Sequence, residues 1–296
     1  MAWSWDDGQH HRFYLENEVH LPLPLMLYQE FNTEARVVAL QTRLVLDCYK
    51  VNEKRREWEL RCDIADIAFT GAGMLGDRGN LDAVLKEVDG RLDEAYLQVV
   101  LRKDGRIKDI DLEGMDRRNR RLSQNVETLR LLLSRTLAGL SLQLPASAEE
   151  EGRGWGQTQS LLMATPSPQG LRGNSELVHM VRRTEGDRMT IETQGRGVVT
   201  AGDNNTYTME MSSMSRFDTR LGVLQQRKWT AIGEPTAGSL VAEGVEAVNY
   251  LQAGSIVYLG EDDPNPVLGH SVQAAIPGAR APGALQLWAP IPALGD

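Results

Sequence analysis

The sequence predicts an α+β protein that is mainly antiparallel β. The expected architecture is a large curved sheet, or sheets, with one long amphipathic helix and one short helix packed on the apolar face. Three observations lead there. Residues 36–69 read as two alternating strands about a charged turn. Residues 116–138 carry a leucine stripe at helical spacing. Nearly everything from 157 to 259 reads as strands separated by short polar turns.

The hairpin over residues 36–69 sets the frame. Val38, Leu40, Thr42, Leu44, Leu46 and Cys48 occupy alternate positions on the first strand; Trp58, Leu60, Cys62 and Ile64 do so on the second. A strand sends alternate side chains to opposite faces, so each set shares one face. Folding the pair about Arg55 sets Cys48 opposite Cys62 and puts both apolar sets on the same side, an arrangement that a one-residue slip would destroy. The cysteines then read either as a disulfide made in an oxidising compartment or as two buried thiols packing as small apolar groups. The register comes from the apolar pattern and not from the cysteines, which favours the disulfide.

Upstream, residues 13–21 suit a strand. The run Leu21-Pro22-Leu23-Pro24-Leu25-Met26-Leu27 is apolar, but its prolines keep it from a central strand and suggest a covering segment. Downstream, Gly71, Gly73 and Gly76 have a loose G-x-G-x-x-G spacing. They follow a hairpin, with no βαβ unit around them, so they read as a flexible loop rather than a nucleotide site. Leu81, Val84, Leu85 and Val88 predict the short helix. Leu97, Val99 and Leu101 alternate into the turn Lys103-Asp104-Gly105-Arg106, and residues 107–112 return as a second hairpin. Leu122, Val126, Leu129, Leu133 and Leu137 form the stripe of the long helix, which Gly139 would end.

The organisation that follows is an N-terminal half over residues 1–145, a Glu- and Gly-rich linker at 146–156, a C-terminal meander at 157–260 that could continue the same sheet, and a proline-rich tail at 261–296. In the second half, strands are expected at 157–164, 175–182, 189–199, 206–217, 222–232, 240–252 and 256–259.

Composition limits the function. With 296 residues, 41% of them apolar, the chain can bury a real core. A net charge of −9 speaks against a general nucleic-acid binder. No apolar run approaches the roughly 18 residues of a membrane span. Met1-Ala2-Trp3-Ser4-Trp5-Asp6 has neither the basic start nor the apolar core of a signal peptide. The chain therefore works in the cytoplasm, or Met1 stands in place of a removed export signal; the cysteine pair favours the second reading.

Motifs for chemistry are absent. His10, His11, His20, His179 and His270 have no zinc-site spacing, and no G-x-S-x-G elbow occurs. No catalytic residue, metal or cofactor is expected. The more informative signal is methionine: Met209 and Met211 share a strand face with Tyr207. Polarisable, flexible side chains suit an adaptable apolar pocket, and with Leu129 and Leu133 of the helix they form the candidate ligand-binding set; an ordinary core is the competing explanation.

Asp104-Gly105-Arg106, Leu142-Gln143-Leu144-Pro145 and Gly152-Arg153-Gly154-Trp155 give a hairpin end, an exit from a leucine helix and an entry into a second run of strands. In that order the chain resembles uncharacterised exported proteins and lipoproteins of Gram-negative bacteria. Its general architecture is similar to the periplasmic lipoprotein carriers of the LolA and LppX type. The resemblance implies a non-enzymatic periplasmic protein that holds a lipid or acyl chain in a curved sheet, or meets a partner at the cell envelope. It carries over no catalytic residue, and the start of the chain lacks the lipobox cysteine of the anchored members. A structural or assembly component of the envelope is the second expectation, and a hydrolase with scattered residues the third.

Overall fold

The computed structural model describes residues 3–22, 37–72, 95–114, 133, 136–137, 139–145, 151–163, 171–201, 204–237, 240–242, 245–246 and 249–260. Its strands are β1 (His10–Pro22), β2 (Val37–Lys54), β3 (Glu57–Ala72), β4 (Tyr96–Arg102), β5 (Ile107–Glu113), β6 (Gly154–Met163), β7 (Leu171–Glu185), β8 (Arg188–Ala201), β9 (Asn204–Asp218), β10 (Val223–Pro235), β11 (Leu240–Ala242), β12 (Val245–Glu246) and β13 (Tyr250–Gly260). Eleven of them form one sheet in the order β5-β4-β3-β2-β1-β13-β10-β9-β8-β7-β6, while β11 and β12 make a small ribbon. Neighbours are antiparallel throughout. The first and last strands thus pair in the middle, and one meander runs out from them to each edge. Strands from both sides of residues 146–156 belong to the same sheet.

The apolar alternation sets the register. Cys48 is the register partner of Cys62, with their Cα atoms 3.9 Å apart, and the two are disulfide-bonded and buried. In the chain-entropy account, closing a loop of this size stabilises by about 3 kcal/mol. Leu44, Leu46, Trp58, Leu60, Leu97, Val99, Leu101 and Leu112 lie on the same face and enter one core with Phe13 and Leu15 of β1 and with Ile191, Phe217 and Ile256 from the other half.

The sheet curls strongly. In the strand order β4 and β9 stand six places apart, which in a flat sheet would separate them by roughly 29 Å. Yet the Trp3 ring packs edge-on against Phe217 of β9, at 5.4 Å between centroids, and also touches Gly105 in the β4–β5 turn. One indole cannot bridge a flat sheet, so the turn-bearing end is drawn inward. Residues 139–145 strap that end. The Leu144 N–H donates to the Asp104 carbonyl (2.8 Å), and Trp3 Nε1–H donates to the Leu142 carbonyl (3.1 Å). Trp155 Nε1–H, from β6, donates to the Gln143 carbonyl (2.9 Å).

The structure corrects the expected α+β class. The described residues build an antiparallel β protein, and no helical element occurs among them. Of the long helix expected over 116–138, only Leu133, Thr136 and Leu137 are described. They have helical backbone and are fully buried; Leu129 and the rest of the stripe lie outside the described residues. The physical reason is that eleven strands pair into a single sheet, and among the described residues the core is built from that sheet's own face together with Trp3, Trp5 and residues 139–145. The short helix at 81–88 and the tail at 261–296 also lie outside the described residues. The strand expected at 240–252 is broken into β11, β12 and the start of β13.

Candidate functional site

The core face changes character along the strands. Near the tight turns it is apolar. Farther along, register aligns Trp155, His179, Thr193, Ser213, Trp229, Gly254, Asn17 and Thr42 in one row running from β6 to β2. Strict alternation places these side chains on the core face with the leucines, so a polar belt crosses a greasy surface. Buried polar groups persist where they find partners. Tyr250 donates to Gln252 Oε1, and Gln252 Nε2 donates to Asn17 Oδ1, each at 2.8 Å. Asn17 Nδ2, Thr42 Oγ1 and Ser215 Oγ are buried without a hydrogen-bond partner.

His179 is fully buried. Its Nε2 lies 2.8 Å from Gln157 Oε1, and its Nδ1 lies 2.8 Å from Thr193 Oγ1. An amide oxygen only accepts, so Nε2 carries the proton and Nδ1 accepts from the threonine hydroxyl. Trp155 stacks on the ring at 5.2 Å. Burial first, and the charge of Arg227 second, hold the imidazole pKa down at about 4. The chain hydroxyl–imidazole–amide has the connectivity of a nucleophile with its base and orienting group. A base so weak captures little of the proton-transfer advantage at neutral pH. The arrangement instead fixes the directions of Thr193 and Gln157.

Arg227 is the charged centre of the belt. Its side chain lies on the core face of β10 and is 6% exposed. Nη1 donates to the carbonyls of Gly139 (3.0 Å) and Ser141 (2.6 Å), while Nε and Nη2 donate to Ser213 Oγ at 3.2 and 3.1 Å. No described carboxylate pairs with it, and burial lowers its pKa to about 10, which leaves it charged at neutral pH. Beside it, the Trp229 ring lies between two glycines: a Cβ at Gly139 or at Gly254 would overlap the indole.

Arg227 and Trp229 border a half-open pocket of about 90 Å³. Leu177, Val199, Met209 and Met211 give it apolar walls; Gln159, Thr193, Ser213, Thr230 and Gln252 give it polar ones. Two core-face glycines let the wall residues pack close to the sheet: a Cβ at Gly195 would overlap Leu177, and one at Gly233 would overlap Met209.

The sequence-predicted set divides over this geometry. Met209 and Met211 line the pocket. Tyr207 is buried behind them, edge-on to Tyr250 at 6.5 Å between centroids. Leu133 belongs to the apolar core. Sequence reasoning missed Arg227, His179, Gln252 and Asn17. The signal was parity: Arg227 alternates with Trp229 and Ala231, and His179 with Leu177 and Val181, so each falls on an apolar face where a polar residue is anomalous. Among the described residues no group of His, Cys, Asp or Glu is placed to hold a metal ion, and no helix is long and apolar enough to cross a membrane. No protein-family model matches this chain, and no curated protein does.

Proposed function

We propose that this is a non-enzymatic, extracytoplasmic protein that binds one end of an apolar ligand, a lipid or a free acyl chain, in the pocket beside Met209 and Met211. The observation that carries the reading is the pocket itself, a half-open recess with methionine, leucine, valine and tryptophan walls on the covered face of a curled sheet. The buried disulfide supports assembly in an oxidising compartment.

Size limits how the ligand sits. Pockets for whole drug-sized ligands run to about 300–1,000 Å³, so about 90 Å³ takes a terminal group and a few carbons. The rest of the chain leaves through the open side. Native mass spectrometry of protein purified from its own host is expected to show a co-purifying lipid, and a fluorescent fatty acid is expected to bind saturably. Protein that is empty and takes up no such probe would refute the reading.

A further inference from the structure

We infer that the end of the ligand held in the pocket is an anionic head, a carboxylate or a phosphate, bound by Arg227 and Ser213. The inference rests on the carrier reading and specifies the chemistry of its ligand.

A guanidinium has five N–H donors, and Arg227 makes four hydrogen bonds, all to neutral acceptors. One Nη2–H is left. Ser213 Oγ accepts from the guanidinium twice, so its own O–H is directed away from Arg227 and can donate to a ligand. The two groups border the same recess. An unpaired charge in a buried place is costly, and carbonyl and hydroxyl dipoles offset only part of that cost. A monoanion in the pocket supplies the missing charge and accepts both spare protons, and charge-assisted hydrogen bonds of this kind are the strong ones. Ser215, the register partner of Arg227, adds a buried hydroxyl with no partner. Met209, Met211 and Val199 then line the way out for the first carbons of the tail.

The test compares dodecanoate, dodecyl phosphate and dodecanol on the full chain by calorimetry at neutral pH. At least one anionic amphiphile is expected to bind on the order of 10–100-fold more tightly than the alcohol. Which of the two binds better identifies the head. Arg227→Gln is expected to erase the preference, because the anion loses its charged partner and so weakens far more than the alcohol. Equal binding of all three would overturn the inference while the carrier reading stands, and so would a preference that survives in Arg227→Gln. Binding of none would remove the carrier reading itself. The comparison on the unaltered protein decides the matter even where Arg227→Gln fails to fold, because Arg227 also holds the strap.

Discussion

A single buried imidazole gives the molecule a pH dependence with a definite sign. His179 titrates near 6.5 in an unfolded chain and at about 4 in the folded protein. Between those values the unfolded state binds a proton that the folded state refuses, so stability falls as pH drops through that window and is unaffected above it. The full effect is about 3 kcal/mol. Urea unfolding of the wild type at pH 7 and pH 4.5 will show this loss on top of the ordinary carboxylate titration. In His179→Gln, which keeps a neutral hydrogen-bonding side chain, the loss between the two pH values is expected to shrink by about 2 kcal/mol or more. Parallel pH profiles for the two proteins would mean that His179 is not the group responsible. The same residue shows why Arg227 matters: its positive charge is the second cause of the lowered imidazole pKa, so the two would be protonated together only at a cost.

The hairpins are the level at which sequence and structure agree best. The β4–β5 turn shows how tightly one such element is built into the rest. Gly105 has φ +89°, and a Cβ there would overlap both the Leu142 carbonyl oxygen and the Trp3 indole. Gly105→Ala is therefore expected to destabilise by about 2–4 kcal/mol, from backbone strain and overpacking together, measurable as a lowered urea midpoint. An effect below about 0.5 kcal/mol would show that the strap yields freely. The turns at Arg55 and at Asp104-Gly105 were legible because turn residues and period-2 alternation are local signals. The pairing of Cys48 with Cys62 followed from the same alternation. The β-bulges were not legible: Val51, Ala65, Lys108, Arg182, Thr206, Gln225 and Leu259 are extra residues in their ladders, and nothing local marks the position where the partner strand skips one. The polar belt was hidden for another reason. An apolar count treats His179, Thr193, Ser213 and Arg227 as noise, and their meaning appears only when register aligns them. The α+β expectation failed because it gave the leucine stripe the weight of a whole layer, whereas the described core is built chiefly from one sheet and the strap, to which Leu133 and Leu137 add two side chains from helical backbone.

Across the whole molecule, the sheet is closed by side chains rather than by a ladder. Among the described residues, the edge strands β5 and β6 do not pair. The turn-bearing end is held together instead by the strap and by Trp3, which is 4% exposed and touches both halves. Its backbone neighbour joins in, since the Ser4 N–H donates to the Gly222 carbonyl at 3.0 Å. This makes one residue near the chain start a tie between segments more than a hundred positions apart in sequence. Trp3→Ala is expected to cost about 3–5 kcal/mol, as for other buried tryptophans. It should also lower amide-exchange protection in the β4–β5 turn and in β9 at the same time, because both lose a common packing partner. The disulfide-tied β2–β3 hairpin should keep its protection relative to global unfolding. Trp3→Phe separates packing from the hydrogen bond to Leu142: it keeps the ring contact with Phe217 and is expected to lose only about 1–2 kcal/mol. If Trp3→Ala exposes the first residues alone and leaves β9 and the β4–β5 turn equally protected, the curl is maintained without that indole, and the strap alone closes the sheet.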